Sequence, residues 1–197
     1  MKKLDESFYM RDTLTVAKEL VGKYIVNYVD GEKIVARIIE TEAYLGVIDR
    51  ASHAFGGRKT ERTSTMYMPG GIAYVYLIYG MYKCLNAVTE EEGNPCAVLI
   101  RSGEIVEGFD KASALRYGKP YSGLDKIQIK NMLNGPGKLC KGLGILMEYN
   151  RASLCGEYFY ICDDGKALDF GIGEGERINI DYALSDKDKP WRFFKIN

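Results

Sequence analysis

The feature that most limits what this chain can become is a pair of strand-like runs around Asp30-Gly31. KYIVNYV (residues 23–29) and EKIVARIIETEAY (residues 32–44) are rich in β-branched and aromatic residues, and only the Asp-Gly dipeptide separates them. Asp and Gly tolerate the left-handed backbone of a tight turn, so the pair predicts a β-hairpin. The second arm delivers ETEAYLG (residues 40–46). A strand places positions i, i+2 and i+4 on one face, so Glu40, Glu42 and Tyr44 share a face. Two readings stay open for that row: a wet outer surface, or a site where a carboxylate acts beside a flat ring.

Other segments fall into place around the hairpin. Residues 12–22 predict a helix, with Asp12 as N-cap, Gly22 as stop, and Leu14, Ala17 and Val21 on the buried face. Residues 47–70 lack periodicity and read as a long loop carrying Arg50, Arg58, Lys59 and Arg62. IAYVYLIYGMYKCLNAVTE (residues 72–90) predicts two strands folded near Tyr79-Gly80-Met81-Tyr82. Tyr74, Tyr76 and Ile78 then share one face. Turns favour small polar residues, so a tip that displays Tyr and Met suggests insertion into something. CAVLIR (residues 96–101) predicts a strand, residues 109–117 and 125–132 predict helices, and Pro136 opens a further helix. EYFYICDDG, RINIDYA and PWRFFKIN read as short strands. The expectation is one α+β domain.

Composition narrows the function classes. At 197 residues the chain can bury a full core. The five cysteines form no C-x-x-C pair and are odd in number, which argues for reduced thiols in an intracellular protein. No apolar run is long enough to span a bilayer, and MKKLDESFYM lacks the apolar core of a signal peptide. Net charge is zero, which taken alone counts against a nucleic-acid binder. The charge is uneven, however: residues 101–141 hold eight Lys/Arg against four Asp/Glu, and residues 146–188 hold four against ten. A neutral total can hide a basic and an acidic face, or ordinary solvated surface.

Glu42, Tyr44, Tyr74, Tyr76, the only histidine His53, and Arg101 are the candidates for chemistry. A carboxylate, a cation and several rings suit a planar ligand held between aromatics next to an activated water. Taken singly, each has a plainer reading: a strand Tyr packs, a loop His is exposed, a strand Glu is solvated. Their combination with an exposed Tyr-Met tip and a basic loop favours the site.

These residues carry a resemblance. RIIETEAYLG (37–46), HAFGGRKTER (53–62), MYMPGGIAYVYLIYGMYKCLN (66–86), AVLIR (97–101) and NGPGKLCKGLGI (134–145) cover much of the chain. In these stretches it resembles the alkyladenine (3-methyladenine) DNA glycosylases of the mammalian type, which also occur in bacteria. The resemblance implies a single domain over residues 1–197, with a curved, mostly antiparallel, partly open barrel-like sheet, flanking helices and a protruding β-hairpin. It implies Glu42 as general base and Arg101 as holder of the attacking water. Tyr44, His53 and Tyr76 would surround an extruded base, and Asn86 would exclude the 2-amino group of guanine. Tyr79, with Met81 beside it, would wedge into duplex DNA. Arg58 and Thr60 would contact the DNA backbone, and Lys138 would assist phosphate binding at the Pro136 helix start, which reads equally well as an ordinary helix start. No metal and no redox cofactor are implied. The partner would be double-stranded DNA containing damaged purines, met by a monomer in the cytoplasm at the nucleoid, with no membrane involved. Glu61 stands where the resemblance leads one to expect a proline, and the TEEEGNP loop (residues 89–95) is slightly long. The basic N-terminal extension of mammalian relatives is missing, so strong non-specific DNA affinity is not expected.

The expected chemistry is base flipping followed by hydrolysis of the N-glycosidic bond, leaving an abasic site. Glu40 is expected to turn towards a partner such as Arg37 or a backbone donor and to be structural. The competing functions are a silent nucleic-acid-binding module and an enzyme of free nucleosides. A binder has no need of the Glu42–Arg101 pair, and a small substrate gives the hairpin tip nothing to enter.

Overall fold

The computed structural model describes residues 1–196. Nine strands make one open, antiparallel sheet: β1 (Lys2–Lys3), β2 (Tyr24–Val29), β3 (Glu32–Tyr44), β4 (Ala73–Ile78), β5 (Tyr82–Thr89), β6 (Cys96–Glu107), β7 (Phe159–Asp163), β8 (Gly171–Gly175) and β9 (Arg192–Ile196). Their order is β1-β7-β2-β3-β6-β5-β4, with β9 added to the far half of β3 and β8 to β9. The α+β expectation holds, and the sheet is open. Helices α1 (Glu6–Tyr9), α2 (Thr13–Leu20), α3 (Phe109–Tyr117), α4 (Lys126–Lys130) and α5 (Pro136–Gly142) flank it. The Asp30-Gly31 turn forms as expected, with both residues at positive φ (52° and 79°).

The main core lies between the sheet and three helices. Val16 and Leu20 of α2, Ala112 of α3 and Leu139 of α5 pack on Ile34, Ile38, Leu85 and Ile100 of the sheet. Asp12 caps α2 as expected, accepting from Thr15 N–H at 2.8 Å. Ala17 and Val21 are buried in the core as expected and Leu14 is partly buried against it, while Thr13, Val16 and Leu20 also face inward. The Thr13 hydroxyl is buried against Thr89 Oγ1 (3.0 Å) and the Glu90 carboxylate.

The other face of the sheet carries the site, and two of the three irregularities in the β3–β6 ladder bear on which residues reach it. Ile38 pairs with Gly103 and Glu40 with Ser102, leaving Ile39 without an opposite residue. Thr41 then pairs with Ile100, leaving Arg101 without one. The bulge at Ile39 inverts the alternation: Ile34, Ala36 and Ile38 face the core before it, whereas Ala43 faces the core after it. Thr41 likewise points to the helix side, its hydroxyl donating to Ala17 C=O at 2.7 Å. Even-numbered Glu40, Glu42 and Tyr44 are thereby turned to the opposite face. Bulges characteristically re-aim side chains in this way.

RINIDYA (residues 177–183) is not the strand expected from its pattern. The segment is irregular and runs into a 3-10 turn, Asp181–Asp188. Its polar groups are engaged with the site instead of a sheet ladder.

Candidate active site

Glu42 lies behind the wall of the site with no exposed surface. Its Oε2 accepts from the Tyr44 hydroxyl at 2.8 Å, and its Oε1 accepts from the Ile178 N–H at 2.8 Å. Arg101 Nη1 lies 3.3 Å from the same Oε1. Burial pushes the Glu42 carboxyl above its ordinary value. Arg101, the Ile178 N–H and the Tyr44 hydroxyl oppose that push, and Glu40 adds slightly to it.

Arg101 bridges the two carboxylates, its Nε donating to Glu40 Oε1 at 3.2 Å. Glu40 also accepts from Ser102 Oγ (2.8 Å) and Arg192 Nη1 (2.9 Å). The expected partner Arg37 is engaged elsewhere, with Asp169 at 2.8 Å. Glu40's further cation comes from β9, which pairs with β3 at this point. Such a neighbour cannot be read from spacing along β3.

Beside these groups opens a cavity of about 530 Å³, within the usual range of ligand pockets. Tyr74 and Tyr76 line one wall from β4, as the alternation predicts, with ring centroids 5.3 Å apart. His53 stands edge-on to Tyr76 at 4.6 Å. Arg62 Nη2 lies 3.3 Å from His53 Nε2 and can only donate, so Nε2 accepts. The proton then resides on Nδ1, which donates to Tyr74 Oη at 3.0 Å. Burial and the Arg62 charge push His53 down to about 4, so the ring is neutral at physiological pH. Asn86 is buried on β5 with its amide N–H donating to Tyr74 C=O at 3.0 Å, which fixes its orientation on the wall. Tyr44, Tyr76, His53, Asn86 and Arg101 thus converge on one cavity; Glu42 does not itself line it but is bonded to Tyr44, Arg101 and Ile178, which do.

At the rim, the β4–β5 hairpin turns through Tyr79 and Gly80, both at positive φ (53° and 70°), with Met81 N–H closing onto Ile78 C=O at 3.3 Å. Gly adopts this backbone freely, whereas Tyr does so at a cost. Tyr79 is 76% exposed and Met81 65%. The basic loop is knitted by its own threonines. Thr60 N–H donates to Thr63 Oγ1 at 2.8 Å, and the two hydroxyls lie 3.2 Å apart. Arg58 is exposed beside them, its C=O accepting from Thr63. Lys138 lines the cavity, with its ammonium donating to Asn131 Oδ1 at 2.8 Å.

Residues 7–197 match the sequence profile of a family described as methylpurine-DNA glycosylase. The chain belongs to this family. Among its relatives is a protein of Alkaliphilus oremlandii, 52% identical over 98% of this chain and 95% of its own length. Others come from Clostridium novyi (49% identical) and Desulfitobacterium hafniense (47%), each over 98% of this chain and 95% of the relative. All three carry provisional names as 3-methyladenine DNA glycosylases.

Several residues of this methylpurine-DNA glycosylase relative escape sequence reasoning. Arg62 reads as one more cation of a basic loop, yet its guanidinium lies 5.0 Å above the Tyr76 ring and holds His53. Ile178, Asn179, Ile180 and Tyr182 line the cavity from the segment mistaken for a strand. Asn179 at φ 60° breaks the extended run. Arg177 is fully buried, a placement that no pattern in RINIDYA announces.

Proposed function

We propose that this protein is a monofunctional DNA glycosylase that extrudes an alkylated or deaminated purine from duplex DNA and hydrolyses its N-glycosidic bond. The observation that carries the proposal is Glu42, a buried carboxylate held by Tyr44, Ile178 and Arg101, all of which line an aromatic cavity with an exposed Tyr79 at its rim. Flipping a nucleotide costs a few kcal/mol, least for a damaged or mispaired base. Tyr79 offsets that cost by stacking where the base had been, an exchange of typically ~1–3 kcal/mol.

In the cavity the base lies against Tyr76, His53 and Tyr44. Electron-rich rings favour a cationic alkylpurine by on the order of 0.5–2 kcal/mol. His53 suits that role because its depressed pKa keeps the wall from carrying a repelling charge. Asn86, locked by Tyr74, presents a rigid amide that excludes the 2-amino group of guanine. Arg101 and Ile178 both line the cavity and both touch Glu42 Oε1, which supports a water held between them. Glu42 takes the proton of that water as its oxygen attacks C1′ and the base departs with the bonding pair. The negative carboxylate also stabilises the oxocarbenium-like transition state. Arg58, Thr60 and Lys138 contact the DNA backbone. One chain supplies every group used, so the enzyme acts as a monomeric single domain on chromosomal DNA in the cytoplasm. No helix among the described residues is long and apolar enough to cross a membrane.

Single-turnover incubation with duplexes carrying 3-methyladenine, 1,N6-ethenoadenine or hypoxanthine tests the reading. Alkali-labile sites are expected with at least one of them, and release from none would sink it. Lys138 is the one lysine lining the cavity. Borohydride trapping of a protein–DNA adduct would replace the water by an amine nucleophile and contradict the monofunctional assignment.

A further inference from the structure

We infer that Arg177 is a positioning residue for Glu42, acting through both of the hydrogen bonds that aim the carboxylate. This rests on the proposed role of Glu42. The guanidinium is fully buried and forks onto Asp49, Nη1 to Oδ2 at 2.5 Å and Nη2 to Oδ1 at 2.9 Å. Its Nη1 also donates to Ala43 C=O (2.9 Å) and its Nη2 to Asp186 C=O (3.1 Å). One group thus ties together β3, the loop after it and the C-terminal segment.

Three connections lead from Arg177 to Glu42. Ala43 sits between Glu42 and Tyr44 on β3, so the bond to its carbonyl fixes the strand that carries both. The guanidinium carbon lies 4.8 Å from the Tyr44 ring centroid, and the Tyr44 hydroxyl holds Glu42 Oε2. Arg177 is the neighbour in sequence of Ile178, whose N–H holds Oε1. The guanidinium carbon also lies 4.9 Å from the Trp191 ring centroid. This pair is a poor device for stability alone, because burying two charges offsets most of their attraction. Arg177 Nε is moreover left buried without a protein partner among the described residues. The arrangement fits orientation, which a planar fork supplies and a point charge does not.

The groups around Glu42 are Glu40 and Tyr44 on its own strand, Arg101 on β6, Arg192 on β9 through Glu40, Cys84 on β5, Tyr182, and the Arg177–Asp49 pair. Arg101, the Tyr44 hydroxyl and the Ile178 N–H favour the ionised carboxylate. Loosening the last two therefore makes Glu42 harder to ionise. The test is a carbon-13 NMR titration of the glutamate carboxyls, with Glu42 assigned through Glu42→Gln, in wild type and in Arg177→Met, Arg177→Lys and Asp49→Asn. The Glu42 midpoint is expected to rise by about one pH unit in Arg177→Met, in line with the loss of hydrogen bonds to a charged form. Arg177→Lys, which keeps the charge without the fork, should lie between that variant and wild type. The acid limb of single-turnover excision should move with it, giving about a tenfold slower rate below both limbs and convergence above them. A midpoint unchanged in any of these variants that folds overturns the inference, and Arg177→Lys and Asp49→Asn carry the test should Arg177→Met fail to fold. If wild type excises nothing while the midpoint moves, the glycosylase reading fails and the positioning role stands.

Discussion

Replacing Glu42 by Gln separates chemistry from architecture with little ambiguity. The substitution keeps the shape and removes only the charge. An amide oxygen at the Oε1 position still accepts from Ile178 N–H and Arg101, and an amide nitrogen at the Oε2 position donates to a rotated Tyr44 hydroxyl. Ile178 and Arg101 therefore keep their acceptor, and Tyr44 keeps a partner with the direction of the bond reversed. The 3.3 Å contact to Arg101 loses its ionic character, but Arg101 retains Glu40 at 3.2 Å. Against that loss stands relief of the burial that pushes the Glu42 carboxyl upward. Hydrogen bonds to a charged group exceed neutral ones by roughly 1 kcal/mol, so the two effects nearly cancel. The net stability change should stay within about 1 kcal/mol of zero, or some 2–4 °C in Tm for a chain of this size.

The rate should respond very differently. General-base catalysis contributes typically 10²–10⁴-fold, or about 3–5 kcal/mol of barrier. Excision from a hypoxanthine-containing duplex, measured with enzyme in excess so that product release does not intervene, should slow by that factor at an unchanged melting temperature. In wild type the rate should climb with pH through a limb above the ordinary carboxylate value of 4.5, because Glu42 must ionise against its burial. A folded Glu42→Gln protein excising within tenfold of wild type would refute the reasoning. Loss of excision in Glu40→Gln with Glu42→Gln intact would exchange the roles of the two glutamates.

Three further outcomes follow from the same geometry. Tyr79→Ala, at a 76% exposed tip, should leave the melting temperature unchanged and slow excision from duplex by about 5- to 150-fold, the equivalent of ~1–3 kcal/mol of stacking, with much less effect on a single-stranded substrate. Arg101→Ala strips the shared cation from two neighbouring carboxylates, and denaturant melts at pH 7 should show a loss of about 3–5 kcal/mol, part of which returns when Glu42→Gln is added. His53 is held neutral in the fold, with its pKa lowered from 6.5 to about 4, so its contribution to stability is present above pH 6.5 and is lost as pH falls towards 4. Urea melts between those values should show roughly 1–3 kcal/mol of that loss, which disappears in His53→Asn; an unchanged slope in that variant would show that His53 is not its source.

The hairpins were legible because their signals are local. Asp30-Gly31 demands positive φ at both turn positions, and the alternation in YVYLI sends Tyr74 and Tyr76 to one wall whatever the rest of the chain does. The carboxylate row was legible for a less secure reason. Strict period-2 reading from Ile34 through Tyr44 would put core residues Ile34 and Ile38 on the same face as Glu42, which the burial of all three in their different surroundings does not allow. The only trace of the inversion is the doublet Ile38-Ile39, where two apolar residues in succession mark the slip that the bulge absorbs.

The rest was illegible because it depends on chain segments far apart in sequence. Nothing in Arg-Ile-Asn-Ile distinguishes an edge strand from a segment whose one backbone donor is aimed at a carboxylate 136 positions earlier. The consequence bears on Tyr44. As a sequence feature it is a ring two positions from a glutamate, suited to stacking against a base. In the fold its hydroxyl is bonded to Glu42 and a guanidinium lies against its ring. Tyr44 therefore joins the cavity wall to the carboxylate's orientation, so that a base pressed against its ring also bears on the aim of Glu42. Under the proposed function binding and bond cleavage share one side chain, and a substitution at Tyr44 should not alter one without the other.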